Sequence, residues 1–187
     1  MTDQPPARPP APAAETVLRA LRRTRQVRQF RADPVPEDLL RKLLDVARWS
    51  GSSMNRQPWT FLVIRDRDRL ARLAELAPNA RHIGGAAAVI AIVMPGEKPE
   101  WDAYDEARAA ERLLIAAAAL GLGAGIGWAV GEERRAAVAQ FLGLTPPAFV
   151  RTFIALGYPT EEAARPRQPR GQARKPFEDV VRWETLS

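Results

Sequence analysis

Trp49-Ser50-Gly51-Ser52-Ser53-Met54-Asn55-Arg56-Gln57-Pro58-Trp59-Thr60-Phe61-Leu62-Val63-Ile64 is the stretch on which the reading of this chain turns. A helical segment ends at its start, a polar loop follows, and the loop runs into an apolar strand. Gly51, Ser52, Ser53 and Asn55 are small or turn-forming, and they offer backbone N–H groups and side-chain hydrogen bonds. Pro58 predicts an extended Gln57. From Trp59 to Ile64 both faces of the strand are mostly apolar, as in a sheet covered on two sides. A polar loop fixed at the mouth of such a strand suits ligand binding; it equally suits a solvated connector.

Working outward, the pattern alternates between helices and buried strands. Pro36, Glu37 and Asp38 open a helix whose buried stripe is Leu39, Leu40, Leu43, Leu44, Val46 and Ala47, ending near Ser50. Asp66 caps a second helix carrying Leu70, Leu73 and Leu76 at helical spacing. A buried strand follows over 86–94, then a loop over 95–102 with Trp101 at its end. Trp101 and Tyr104 are aromatics able to stack on a planar ligand, or to pack against the protein surface. The helix over 105–122 is apolar around most of its circumference, which places it centrally or at a subunit interface. Gly121, Gly123, Gly125 and Gly127 punctuate the turn into the next strand; the spacing resembles a dinucleotide loop but follows a helix, the wrong context for one. Another helix spans 132–142, and a strand over 149–158 ends in Gly157-Tyr158-Pro159. The basic, Pro-interrupted tail becomes strand-like at Val180, Val181 and Trp183, with Phe177 adding apolar surface to bury.

Composition narrows the chemistry. The 187 residues suit one domain, over 15–187, behind a disordered Pro/Ala-rich leader over 1–14. The absence of cysteine excludes disulfides and thiolate chemistry, and a lone histidine, His82 in a connector, provides no metal cluster and receives no catalytic role. No run reaches membrane-spanning length and no signal-peptide core is present, so the expectation is a cytoplasmic protein without a membrane partner. The net charge of +6 is local. Residues 17–31 carry six arginines and no acid, residues 163–175 carry five cations and no acid, and the remainder is net acidic. Two basic segments far apart in sequence form a single anion site if they meet, a pattern that argues against a nucleic-acid partner.

The loop Ser52-Ser53-x-Asn55-x-Gln57-Pro58-Trp59 and its strand resemble the signature of the FMN-dependent nitroreductase family, with Gly51 where that family often has Pro. The resemblance runs in order from about Thr24 to Glu178. It takes in Arg25-Gln26-Val27-Arg28-Gln29-Phe30, Gly121-Leu122-Gly123, Gly157-Tyr158-Pro159 and Arg174-Lys175-Pro176. It implies an α+β, three-layer fold, a central mixed or antiparallel sheet flanked by helices, in an intertwined homodimer. It also implies FMN as cofactor, NADH or NADPH as donor, and a small-molecule acceptor such as a nitroaromatic or quinone, with ping-pong hydride transfer through flavin N5. Arg23, Arg25, Gln26 and Arg28 are then the positions toward the FMN phosphate and ribityl chain; Arg23 backs up Thr24, which replaces an arginine. Arg174, with Lys175 as second choice, returns to the phosphate. Ser52, Ser53, Asn55 and Gln57 contribute from the loop, which the resemblance allows to come from the other subunit of the dimer. Gly125, Ile126 and Gly127 lie against the flavin ring, one of them donating an N–H to N5, and Trp101 and Tyr104 cover the substrate. No side-chain nucleophile or metal is required, because the flavin carries the chemistry. Three alternatives stand beside this: a flavin-cleaving relative of the same fold, which has Asp where Gln26 stands; a flavin-binding or storage protein without turnover; and a basic nucleic-acid-binding module.

Overall fold

The structure is a computed structural model that describes residues 13–165 and 174–186. Most of the leader expected over 1–14 lies outside the described residues, as do Arg167 and Arg170 of the second basic segment. Helix α1 is Ala13–Arg23, α2 Glu37–Arg48, α3 Arg67–Leu76, α4 Pro99–Ala119 and α5 Glu132–Leu142. The short helices α6 and α7 are Glu161–Ala164 and Phe177–Val180. The strands are β1 Thr60–Ile64, β2 Ala88–Met94, β3 Gly123–Trp128 and β4 Phe149–Gly157.

The strands pair in the order β1-β2-β4-β3, with every pairing antiparallel. β2 and β4 are central, and side-chain alternation sends their residues into two separate cores. Ile90, Ile92 and Ile154 join Leu40, Leu43 and Leu113 on the α2/α4 side. Val89, Ala91 and Phe153 join Leu70, Leu73 and Val138 on the α3/α5 side. A strand buried on both faces reads as an unbroken apolar run, which is why Ala88–Met94 was visible in the sequence. The result is the expected three-layer α+β arrangement of helices, sheet and helices.

Local chemistry accounts for most element ends. Asp66 accepts the Arg69 N–H as an N-cap for α3. Gly143 closes α5 in the left-handed conformation, with φ of 72°. On α2 the buried stripe is Leu40, Leu43 and Ala47, while Val46 is exposed instead of buried. Helix α4 begins at Pro99, well before the expected 105, because Pro99 fits the first turn and Glu100 and Asp102 suit its positive dipole. The loop expected over 95–102 therefore shrinks to a few residues, and both Trp101 and Tyr104 are helical.

The tail departs furthest from expectation. Phe177–Val180 instead form the single turn α7, Val181 and Trp183 follow it without a strand partner, and Phe177, Val180 and Trp183 are exposed by 61%, 63% and 77%. One copy of the chain does not bury them. Val17, Leu18 and Leu21, one face of α1, are also half-exposed.

Candidate functional site

The expected site residues divide into two groups. The first is built on the edge of the sheet. After α1 the chain runs beside β3, where the Val27 N–H donates to the Ala124 carbonyl. Farther along, the Arg31 N–H donates to the Tyr158 carbonyl and the Thr160 N–H to the Gln29 carbonyl. The Gln26 Oε1 accepts from the Ile126 N–H and from Arg28 Nη2, both at 3.2 Å. Gln26 thus ties the arginine to the strand. Gln26, Arg28, Ile126, Asn79, Trp128 and Val130 together line a cleft of about 250 Å³. Arg23 and Arg25 line a second cleft, on the other side of Val27, with Gly123 and Pro159. Arg25 already has partners there: its Nη2 donates to the Ala164 carbonyl at 2.8 Å and the Ala163 carbonyl at 3.3 Å.

The glycines of β3 are required by the protein's own packing. A Cβ at Gly125 would lie 2.3 Å from the Val27 carbonyl oxygen, and one at Gly127 would lie 2.6 Å from the Ala80 Cβ. That packing accounts for these glycines without a ligand beside them. The strand's hydrogen-bond parity bears on which N–H groups face outward. Ala124 and Ile126 direct their polar groups outward, whereas the Ala129 N–H donates to the Arg151 carbonyl across the sheet. In an antiparallel ladder this alternation turns the Gly125 and Gly127 N–H groups toward β4 and the Trp128 N–H outward. With the Ile126 N–H taken by Gln26, the outward donors of β3 that remain are those of Ala124 and Trp128, and Trp128 is the one that lines the Arg28 cleft. Trp128 itself is 55% exposed. Sequence reasoning passed over it, although the period-two repeat from Ile126 to Trp128 was the signal that could have found it.

His82 lies behind this edge. Burial, and after it the neighbouring Arg28 guanidinium, hold its imidazole below the usual histidine range. Its Nε2 is buried without a hydrogen-bond partner.

The second group is the Ser52–Gln57 loop. Ser53–Asn55 forms one tight turn, and Met54, Asn55 and Gln57 have φ of 54°, 55° and 49°. Gln57 is thus left-handed and not extended as Pro58 predicted. Ser52 Oγ accepts the Gln57 N–H at 2.9 Å, closing the loop on itself. Two carboxylates hold it from beneath. The Ser53 N–H donates to Asp105 Oδ1 at 3.0 Å. Arg56 Nη2 pairs with Asp102 Oδ1 at 3.3 Å and Asp105 Oδ2 at 3.4 Å. Both aspartates are fully buried. Next to them, burial raises the Glu106 carboxyl above its usual range, against the pull of the Thr152 hydroxyl and Arg151.

Trp101, 40% exposed, packs against two cations. The Lys98 ammonium lies 4.6 Å from its ring centroid and the Arg56 guanidinium 5.3 Å. Tyr104 is 70% exposed, with the Arg108 guanidinium 5.6 Å from its ring.

Within one copy the two groups stand apart. The loop is anchored at Asp105 on α4, while the Arg23/Arg25 cleft includes Ala118 near that helix's end. Between those residues the helix rises roughly 20 Å. Arg174 and Lys175 are exposed; the second basic segment meets the first at its start, where Arg25 reaches the Ala163 and Ala164 carbonyls. No helix among the described residues is long and apolar enough to cross a membrane, and no cluster of metal-ligating side chains occurs among them.

The sequence pattern of the Nitroreductase family matches residues 21–80 and 76–158. The chain belongs to the nitroreductase family. The match spans both halves of the site, from Arg23 through the Ser52–Gln57 loop to β3 and β4. Among curated relatives, a Thermus thermophilus protein named NADH dehydrogenase is 31% identical over 194 residues, covering 84% of this chain and 90% of the relative. A Methanothermobacter thermautotrophicus protein with the provisional name NADH dehydrogenase/NAD(P)H nitroreductase is 32% identical, covering 78% of each chain. A Desulfovibrio desulfuricans protein, provisionally a nitroreductase and crystallised in complex with FMN, superposes with a TM-score of 0.75 at 28% identity, covering 91% of this chain and 98% of its own. The FMN-dependent nitroreductase of Clostridium difficile shares the fold at a TM-score of 0.78 and 20% identity, covering 89% of this chain and 98% of its own.

Proposed function

We propose that this nitroreductase is an FMN-dependent oxidoreductase that takes electrons from NADH or NADPH and delivers them to a small organic acceptor such as a nitroaromatic or a quinone. The observation that carries the reading is the outer edge of β3. An unused backbone donor at Trp128 stands beside a cleft containing Arg28, whose position Gln26 fixes. That donor set fits a flavin, which has acceptor atoms along one ring edge and gains negative charge on reduction.

When bound, FMN supplies reversible two-electron chemistry between the nicotinamide and the acceptor. The chain's own residues bind and orient. Arg28 provides fixed positive charge that stabilises an anionic ring, worth most where water is excluded. Gln26 holds Arg28 and Ile126 in one geometry, so that charge is pre-organised. Arg23 and Arg25 provide cations for a phosphate, a task suited to the guanidinium fork. Arg174 and Lys175 are further candidates. Ser52, Ser53, Asn55 and Gln57 belong to the same site when two copies associate, because one copy keeps the loop and the β3 edge apart. Half-exposed apolar residues on α1 and exposed ones on α7 supply surface for that homodimer.

The visible spectrum of the purified chain, supplied with FMN and then with NADH or NADPH under anaerobic conditions, tests this directly. A flavin spectrum that bleaches with either nicotinamide is the expected result. Bound flavin that stays oxidised favours a binding or storage protein, and no flavin binding at all overturns the proposal.

A further inference from the structure

Asp102, Asp105 and Glu106 are buried carboxylates of α4 with no part in the proposed chemistry, and the two aspartates grip the Ser52–Gln57 loop. Asp105 accepts the Ser53 N–H with Oδ1 at 3.0 Å and Oδ2 at 3.3 Å. Asp102 accepts the Gly96 N–H at 3.0 Å, in the turn that precedes α4. Arg56, with 21% of its side chain exposed, bridges the two aspartates from within the loop. The loop they hold is one that few sequences adopt unaided. Met54, Asn55 and Gln57 all have positive φ without being glycine, and such residues persist only where surrounding structure over-determines them. Within the loop itself, the Ser52 hydroxyl accepts the Gln57 N–H, and the Asn55 and Arg56 N–H groups donate to the Ser52 and Ser53 carbonyls.

We infer that Asp105, with Asp102 and Arg56, is a positioning residue: it holds the Ser52–Gln57 loop in its ligand-ready conformation without touching the ligand. The inference rests on the FMN reading above. The geometry favours positioning over simple stabilisation because the grip falls on the backbone N–H of Ser53, between Ser52 and the left-handed residues. A carboxylate serving only the core would have no reason to reach the loop backbone with both oxygens. Charge makes the grip strong, since hydrogen bonds to an ionised acceptor exceed neutral ones.

The test is a double-mutant cycle on FMN affinity, measured by quenching of flavin fluorescence on adding the folded, flavin-stripped chain. Asp105→Asn is measured in the natural loop and in a loop carrying Asn55→Ala with Gln57→Ala. Asp105→Asn is expected to weaken FMN binding about tenfold or more in the natural loop, the size of a lost charge-assisted bond. In the altered loop the same change is expected to weaken it less than about threefold, because contacting sites are non-additive. Equal weakening in both backgrounds overturns the inference, as does no weakening in the natural loop. If Asp105→Asn does not fold, Arg56→Met completes the same cycle with the same expectations. A natural chain that fails to bind FMN overturns the functional reading and this inference together; natural binding with an unmoved variant overturns the inference alone.

Discussion

The β3 edge and the Ser52–Gln57 loop are both expected to face one ligand, yet they are built in opposite ways. The edge is ordinary extended backbone made special by what lies against it: Val27 on Ala124, Gln26 on Ile126, and small residues wherever two backbones approach. The loop is unusual backbone, three left-handed non-glycine residues, held in place by buried charge. The edge thus depends on sterics and the loop on electrostatics. The two should fail under different perturbations.

The largest contrast is expected between two glycines. Gly125→Ala drives a methyl into the Val27 carbonyl, where backbone must move. Overpacking of this kind costs about 3 kcal/mol, which lowers the melting temperature by roughly 9 °C in a domain of this size. Gly51→Ala, at the head of the loop, places its methyl 3.5 Å from Arg108 Nη1, an ordinary contact. Its expected effect is within about 0.5 kcal/mol. Thermal melts of both variants check the pair, and equal shifts would erase the contrast between edge and loop.

Arg25 sharpens the comparison at a smaller scale. Its bonds to the Ala163 and Ala164 carbonyls are structural, and its position is expected to face the phosphate. Arg25→Ala should cost about 1 kcal/mol of stability and also weaken FMN binding. A melt and a flavin titration on the same preparation separate the two roles; lost stability with unchanged affinity would leave Arg25 as a tether for α6 alone.

The smallest effect expected is a pH dependence confined to the edge. Because burial and Arg28 depress the His82 pKa, the folded chain binds its proton less readily than the unfolded chain does. The stability His82 contributes is present above the ordinary value of 6.5 and is lost as pH falls through the depressed folded-state value. Melts across that interval should show the natural chain losing stability relative to His82→Gln. Parallel curves for the two proteins would show that His82 does not titrate with folding.

Much of the fold was legible because burial writes itself into periodicity. The run from Ala88 to Met94 could only be a strand covered on both faces, and Leu70 with Leu73 could only be one face of a helix. The tail misled because Val180, Val181 and Trp183 have strand-forming side chains but no strand beside them within one copy, and propensity without a pairing partner does not make a sheet. The start of α4 was missed because Trp101 and Lys98 read as loop chemistry, whereas Pro99 and the acids after it favour a first helical turn. At the site, the residue types were legible and their tasks were not. Asp102 fell in an expected loop and Asp105 at the start of an expected helix, neither with a task, and Gly125 was read as letting backbone approach a flat ligand.

The sequence by itself determined the family, the three-layer order of helices and strands, and the residue types that bring cations, amides and hydroxyls to the site. Those follow from motif spacing and from the periods of 2 and 3.6 residues, which are local properties of a chain. Only the tertiary structure decided which N–H groups on β3 are left over, which guanidinium is already engaged, and what holds the Ser52–Gln57 loop. Each of these depends on a partner far along the chain: Gln26 on Ile126, Arg25 on Ala164, Asp105 on Ser53. A hydrogen-bonding group is free or spent only according to what folding brings beside it.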